Sequence, residues 1–364
     1  MHSNKKTKIL TIATAIFLLI ISILIKIASN FPIWIENNYS RGAYPKIALF
    51  FRTIFGWLPF SVGDILYTAT GVYLLVIFVI FVKILFTRPF REINFKKILV
   101  RLFFILITIY IYFNLSWGLN YNRPGIAYQL KLKPEIHNEQ ELKMITALLL
   151  DKVNENRLFL GPKPLKTKPY PEVFKEAKMA YQASASIFPF MSYNTESVKR
   201  SLYGRMGNFL GFLGYYNPFT GEAQLNLTQP RFLIPYVSCH EMAHQLGYAS
   251  ESEANFVGYL AAVHSPDTLF HYSTYFDLFN YANHELYLRD SLAANENYNH
   301  LDTLVKADVK ELRDYWEKSK NPVEPVIKVF YDHYLKANQQ IKGVKSYNEV
   351  IGWLIAYYKK YGKI

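Results

Sequence analysis

Three apolar stretches near the start of this chain constrain its fold before any other feature does. Lys8 to Ala28 ("KILTIATAIFLLIISILIKIA"), Ile65 to Phe86 and Leu99 to Leu119 each reach the roughly 20 residues a helix needs to cross hydrocarbon. Backbone in lipid must hydrogen-bond to itself, so each stretch predicts a membrane-spanning helix. The first is followed by "SNFPIW", a poor cleavage site, and its apolar region is longer than that of a removable signal peptide. It reads as a signal anchor. Between the first two spans, "IALFFRTIFGWLPF" is interrupted by Arg52, Gly56 and Pro59 and predicts a segment lying on the membrane surface. Trp117 and Tyr121 close the third span as interfacial aromatics.

Charge follows the same division. The chain of 364 residues carries a formal net charge of +13. Up to Arg123 there are 14 Lys and Arg against three acids (Glu36, Asp64, Glu92), a net of +11, and the remainder holds 27 against 25, a net of +2. The basic excess therefore sits beside lipid headgroups, and the second part has no basic stripe for nucleic acid. Membrane lipid is an expected partner and nucleic acid is not. Lys5, Lys6 and Lys8 precede the first span, and Lys83, Arg88, Arg91, Lys96, Lys97 and Arg101 surround the second-to-third loop. The longer first loop has only Arg41, Lys46 and Arg52. The positive-inside rule then predicts a cytoplasmic N-terminus and everything after Tyr121 outside.

Residues 1–123 thus form a membrane region and residues 124–364 a second, extracytoplasmic domain. Leu142 to Arg157 and Val173 to Ile187 show helical spacing. Ser197 to Leu227 breaks into short runs with Gly and the turn "NPFTGE", which predicts a small sheet or hairpin. From Phe232 onward most of the chain reads as helix, so the domain is α+β and mostly helical. Gly207, Gly211 and Gly214 do not form a dinucleotide fingerprint, and there is no P-loop or G-x-S-x-G elbow. Cys239, the only cysteine, excludes a disulfide framework and a cysteine-based zinc ribbon, and reads as a buried thiol.

The chemistry concentrates in "HEMAHQLGYASESEANF", residues 240–256. His240 and His244 lie one turn apart on a helix, so both imidazoles can bind one metal ion, and Glu241 can act as general base. A third ligand is required. On an unbroken helix Glu251 would stand about 10 Å along the axis from His244, too far for one ion. The helix must break, and Gly247 is placed to allow it. Ser250 and Glu253 match the S-x-x-E capping box, so a second helix is expected at Ser250 with Glu253 folded back as its cap. Glu251 is then free to face the metal, although a short tether also lets Glu253 coordinate instead.

These residues resemble the zincin metallopeptidases, in which H-E-x-x-H is followed by a glutamate ligand in E-x-x-A-D or N-E-x-x-A. Here Glu251-Ser252-Glu253-Ala254-Asn255 matches, with Asn255 where an aspartate often orients a ligand histidine. The spacing from His244 is shorter than in the thermolysin-like branch, and Ser250 stands where a metzincin has histidine. The whole chain, from its spans to "GVKSYNEV", also resembles a family of bacterial three-pass membrane proteins known as a domain of unknown function with a zincin-like motif.

The zincin resemblance implies zinc held by His240, His244 and Glu251, with Glu241 moving the proton during amide hydrolysis of a peptide or protein substrate. It implies an edge strand to which the substrate adds, for which Glu222 to Leu227 is the candidate, and an oxyanion donor, for which Tyr347 or His333 is a candidate. His264, His271 and His284 read as surface or packing residues. The expected fold is therefore a three-span helical membrane region joined to a mostly helical α+β, zincin-like domain. The expected activity is that of a membrane-anchored zinc metallopeptidase. The alternative is a catalytically idle zincin-like protein that binds peptides or acts as a membrane scaffold.

Overall fold

A computed structural model describes residues 2–87, 94–132, 137–162, 168–337 and 349–364 of the chain. Three of its helices are long and apolar enough to cross a membrane: Lys6–Ala28, Val62–Ile84 and Phe95–Ser116, with mean hydropathies of 2.6, 2.5 and 2.2. Their side chains are exposed nearly all round, as expected of helices whose solvent is lipid. The third ends at Ser116, earlier than its apolar run suggests. Trp117 leaves helical geometry there and a short 3-10 turn, Gly118–Asn122, follows.

The first loop is ordered rather than merely peripheral. A π-helical stretch, Ile35–Ala43, runs into the helix Tyr44–Phe55. Tyr44, Ala48 and Arg52, spaced four apart, are buried on one side of that helix, while Leu49, Phe50 and Ile54 remain exposed. Ile25, Ile35, Tyr44, Ile107 and Trp117 form a small core with Ala249, which belongs to the second part of the chain. Residues on both sides of position 123 therefore share one packed interior.

The larger core is built from helices. Glu139–Leu160 starts with a complete capping box between Asn138 and Glu141, and Tyr170–Ala185 follows. The first exceeds its predicted stretch, Leu142 to Arg157, by three residues at each end; the second starts three residues before the predicted Val173 and ends two before Ile187. Thr268–Arg289 packs along Glu139–Leu160.

The sheet has three short strands, β1 (Val198–Arg200), β2 (Gly214–Asn217) and β3 (Glu222–Leu225), in the order β1-β3-β2. β3 pairs in parallel with β1 and antiparallel with β2. This corrects one expectation: Glu222 to Leu227 does not supply an edge, because β3 is the central strand and all four of its residues are buried. The strand that displaces it from the edge is three residues long, too short to announce itself by alternation. β2 is the edge strand on the other side.

The sheet stands directly on the second span. Glu222 accepts hydrogen bonds from the Val62 and Gly63 N–H groups, at 3.1 and 2.6 Å, and from the Thr220 hydroxyl at 2.8 Å. A carboxylate at a helix N-terminus satisfies donors that have no intrahelical partner and opposes the positive end of the dipole. Asp64, in the same first turn, accepts from Leu202 N–H at 2.6 Å and from the Tyr215 hydroxyl.

Candidate metal centre

The helix Ile234–Gln245 carries His240, Glu241 and His244, and nearly every residue of it is buried. Pro235 occupies its first turn, where a missing N–H costs nothing. Tyr181 donates to the Cys239 carbonyl at 2.6 Å. The Cys239 thiol is buried, and burial pushes its pKa up, as for an inert core cysteine.

The chain then reverses as its residues require. The helix stops at Gln245, Gly247 adopts a left-handed φ of 87°, and the helix Glu251–Ala262 begins after Ser250. A side chain at position 247 would meet the Tyr44 ring at 2.8 Å, so both conformation and space favour glycine. The two helices cross closely at Gly258, where an added Cβ would lie 3.0 Å from the His240 backbone nitrogen. This contact fixes where the second helix presents its first turn.

That turn holds Glu251 against both histidines. Its Oε2 lies 3.2 Å from His240 Nε2 and 3.6 Å from His244 Nε2. One ligand atom from each of the three residues lies within 4.8 Å of the others, so the group could hold a metal ion. His244 Nδ1 lies 2.7 Å from the Tyr248 carbonyl, which can only accept, so Nδ1 carries the hydrogen and Nε2 of the neutral ring offers its lone pair to the group.

Electrostatics reflect this crowding. Burial would raise the Glu251 carboxyl, but hydrogen bonds and charge from His240 and His244 hold it well below the carboxylate range. Burial would lower His244, yet Glu251 lifts it to about 9. For Glu241 burial dominates and pushes the carboxyl up to about 7, against the pull of His240 and His244. Its Oε2 is buried without a hydrogen-bond partner among the described residues. Gly214 of β2 presses on it, since a Cβ there would come within 2.6 Å of Glu241 Oε1.

Glu253 is not part of this group. Ser250 Oγ accepts from Glu253 N–H at 3.3 Å, so half of the capping box forms, but the Glu253 side chain does not fold back to complete it. Its carboxylate accepts from Ile126 N–H at 2.7 Å instead. The reason is helical geometry: residues two apart on a helix point about 200° from each other, so Glu251 and Glu253 cannot both face the histidines. Asn255 accepts at its carbonyl from the Tyr236 hydroxyl at 2.9 Å, and its side-chain Nδ2 is buried without a partner among the described residues. His333 is exposed on the helix Glu324–Ala337, outside the group, and Tyr347 lies outside the described residues. A cavity bordered by Lys131, His137 and Lys359 includes none of the three gathered side chains.

Several residues around the group were not expected there from the sequence, among them Trp117, which read as an interfacial aromatic and is buried instead. Asp277, on Thr268–Arg289, is pushed up to about 7 by burial while His240 pulls it down. Tyr281, one turn further, feels both Asp277 and Glu251. Their four-residue spacing on one helix face was the available signal. Arg123 lies buried between the two parts of the chain. It makes two bonds to Glu36, at 2.8 and 3.0 Å, donates to the Gly247 carbonyl at 3.1 Å and lies over the Tyr248 ring at 4.8 Å. Trp117 donates its indole N–H to the His244 carbonyl at 3.1 Å, and the Tyr44 hydroxyl donates to the Gln245 carbonyl at 3.0 Å. These satisfy carbonyls that a helix C-terminus leaves open.

Residues 39–355 match a protein family described as "Protein of unknown function (DUF3810)". The chain belongs to that family. No curated protein and no solved structure matches it. The DUF3810 match runs from the first loop, through the second and third apolar helices and the group of His240, His244 and Glu251, into the last helix, Glu349–Tyr361.

Proposed function

We propose that this chain is a membrane-anchored, zinc-dependent peptidase with a zincin-like site. The observation that carries the reading is a buried carboxylate, Glu241, with one oxygen lacking a hydrogen-bond partner among the described residues, beside three side chains that could hold a metal ion. Leaving such a group unpaired is costly, and active sites are where folds retain that cost. The donor set of two imidazoles and one carboxylate suits zinc. Two ligands bound at 2.0–2.1 Å to one tetrahedral ion stand roughly 3.4 Å apart, and the two His–Glu251 separations are 3.2 and 3.6 Å. The ion, when bound, would supply Lewis acidity to the attacking water and the substrate carbonyl.

The chain's own residues do the rest. His240, His244 and Glu251 would hold the ion, and the Tyr248 carbonyl, 2.7 Å from His244 Nδ1, would keep His244 in the ligating tautomer. Glu241 accepts a proton as water adds to the peptide carbonyl and delivers it to the departing nitrogen, giving a carboxylate and an amine. β2, open on one side and touching Glu241 at Gly214, is the strand to which an extended peptide would add.

Glu241→Gln is the test of this reading. The variant should keep bound metal, because no ligand is changed, while hydrolysis of an unfolded protein such as casein falls by at least ~10²-fold. Unchanged hydrolysis would overturn the assignment. A wild-type protein that binds zinc but cuts nothing would favour the idle, peptide-binding alternative.

Topology belongs to the same proposal. The loop charges favour an N-terminus in the cytoplasm and the metal centre outside, and the likeness to bacterial three-pass proteins favours the inner membrane. A C-terminal reporter that works only in the cytoplasm should therefore be silent. A bright signal would reverse the orientation.

A further inference from the structure

Accepting the peptidase reading, we propose that the substrate is itself membrane-anchored and is cut in the few residues just outside its own span. The metal-ligating group is built onto the end of a membrane helix. Trp117 immediately follows Ser116, the last residue of the third span, and its ring lies 6.1 Å from that of His244. The hairpin of β2 and β3 reaches the other way, into the spans. Phe219, in its turn, stacks on Tyr112 of the third span at 5.6 Å and meets Tyr67 of the second edge-on at 6.3 Å. The Tyr112 hydroxyl also donates to the Phe219 carbonyl at 3.0 Å.

β2 therefore connects the two places. At Gly214 it touches the Glu241 carboxylate, and just past Asn217 it turns between Tyr67 and Tyr112. The distance from Gly214 to Phe219 is at most about 17 Å at roughly 3.4 Å per residue. The first loop adds exposed apolar side chains, among them Phe31, Trp34, Phe50 and Trp57. A polypeptide pairing with β2 would run from the bilayer surface toward Glu241. One leaving a span of its own needs only about five to seven extended residues to bring a peptide bond to the carboxylate. Confinement to the same membrane also raises its effective concentration over that of a soluble peptide. Water adds across the amide, the C–N bond breaks, and the anchored product stays in the bilayer.

The test uses the full-length, zinc-loaded protein in liposomes. One probe is a pool of polypeptides with a single apolar span and polar tails of mixed sequence; the other is the same tails without the span, at equal bulk concentration. The anchored pool should be cut at least ~10-fold faster, at bonds about five to seven residues from the span, wherever the tail ends. A second readout needs no turnover. In the Glu241→Gln protein, a photoreactive residue four positions outside the probe's span should crosslink to residues 212–217. Faster cleavage of the soluble tails, or cuts spread evenly along anchored ones, overturns this proposal and leaves the peptidase reading standing. If neither pool is cut and casein also survives, it is the peptidase reading that fails.

Discussion

Glu251→Gln should empty the metal centre, while Glu253→Gln, two residues away, should leave it filled. Both carboxylates are buried and both lie in the first turn of the same helix, so position alone does not separate them. Direction does. Glu251 faces His240 and His244, and glutamine there replaces a charged oxygen ligand with a weak neutral one and removes the negative charge that offsets a dication. Removal of a partner of a ligand typically costs roughly 10–100-fold in metal affinity, so weakening a ligand itself should cost at least that. Glu253 faces Ile126, and a glutamine carbonyl can still accept that N–H. Metal content of the two purified variants separates these outcomes. Zinc lost from Glu253→Gln and kept by Glu251→Gln would reverse the assignment.

Arg123→Ala should be the most damaging substitution outside the site itself. The guanidinium and Glu36 are both almost fully buried, and Gln129 also donates to Glu36 at 2.8 Å. Removing one member of a buried ion pair leaves the other charged and unpaired, a loss of about 3–5 kcal/mol. That is a large fraction of the stability of a typical domain. The same side chain holds the Gly247 carbonyl, so the loop between the two ligand-bearing helices should loosen as well. The thermal midpoint of the detergent-solubilised protein should fall by on the order of 10 °C. Lysine should not restore it, because an ammonium cannot reproduce the two-pronged contact with Glu36. An unchanged midpoint would contradict this account of the junction.

What the sequence revealed and what it hid follow from the range of the interactions. Hydrophobicity and length are local, and they placed the three spans. The break at Gly247 and the helix start at Ser250 are also local, because φ and capping depend on immediate neighbours. The direction of Glu253 is not local, since its partner Ile126 lies 127 positions away. Nor is the central place of β3, which depends on a parallel pairing with three residues, Val198–Arg200. Glu36 and Arg123 counted in the sequence as charges flanking the membrane, whereas they pair with each other in the interior. Asp277 and Tyr281 reach the site only because Thr268–Arg289 packs against the motif helix.

The central claim is that His240, His244 and Glu251 bind a metal ion rather than serving as a buried ion-pair cluster. Zinc content of the full-length protein, purified in detergent without chelators, tests it most directly when compared with that of His240→Ala. One zinc per wild-type chain, lost in the variant, is the predicted result. A folded wild-type protein that takes up no zinc, or a variant that holds as much as wild type, would contradict it.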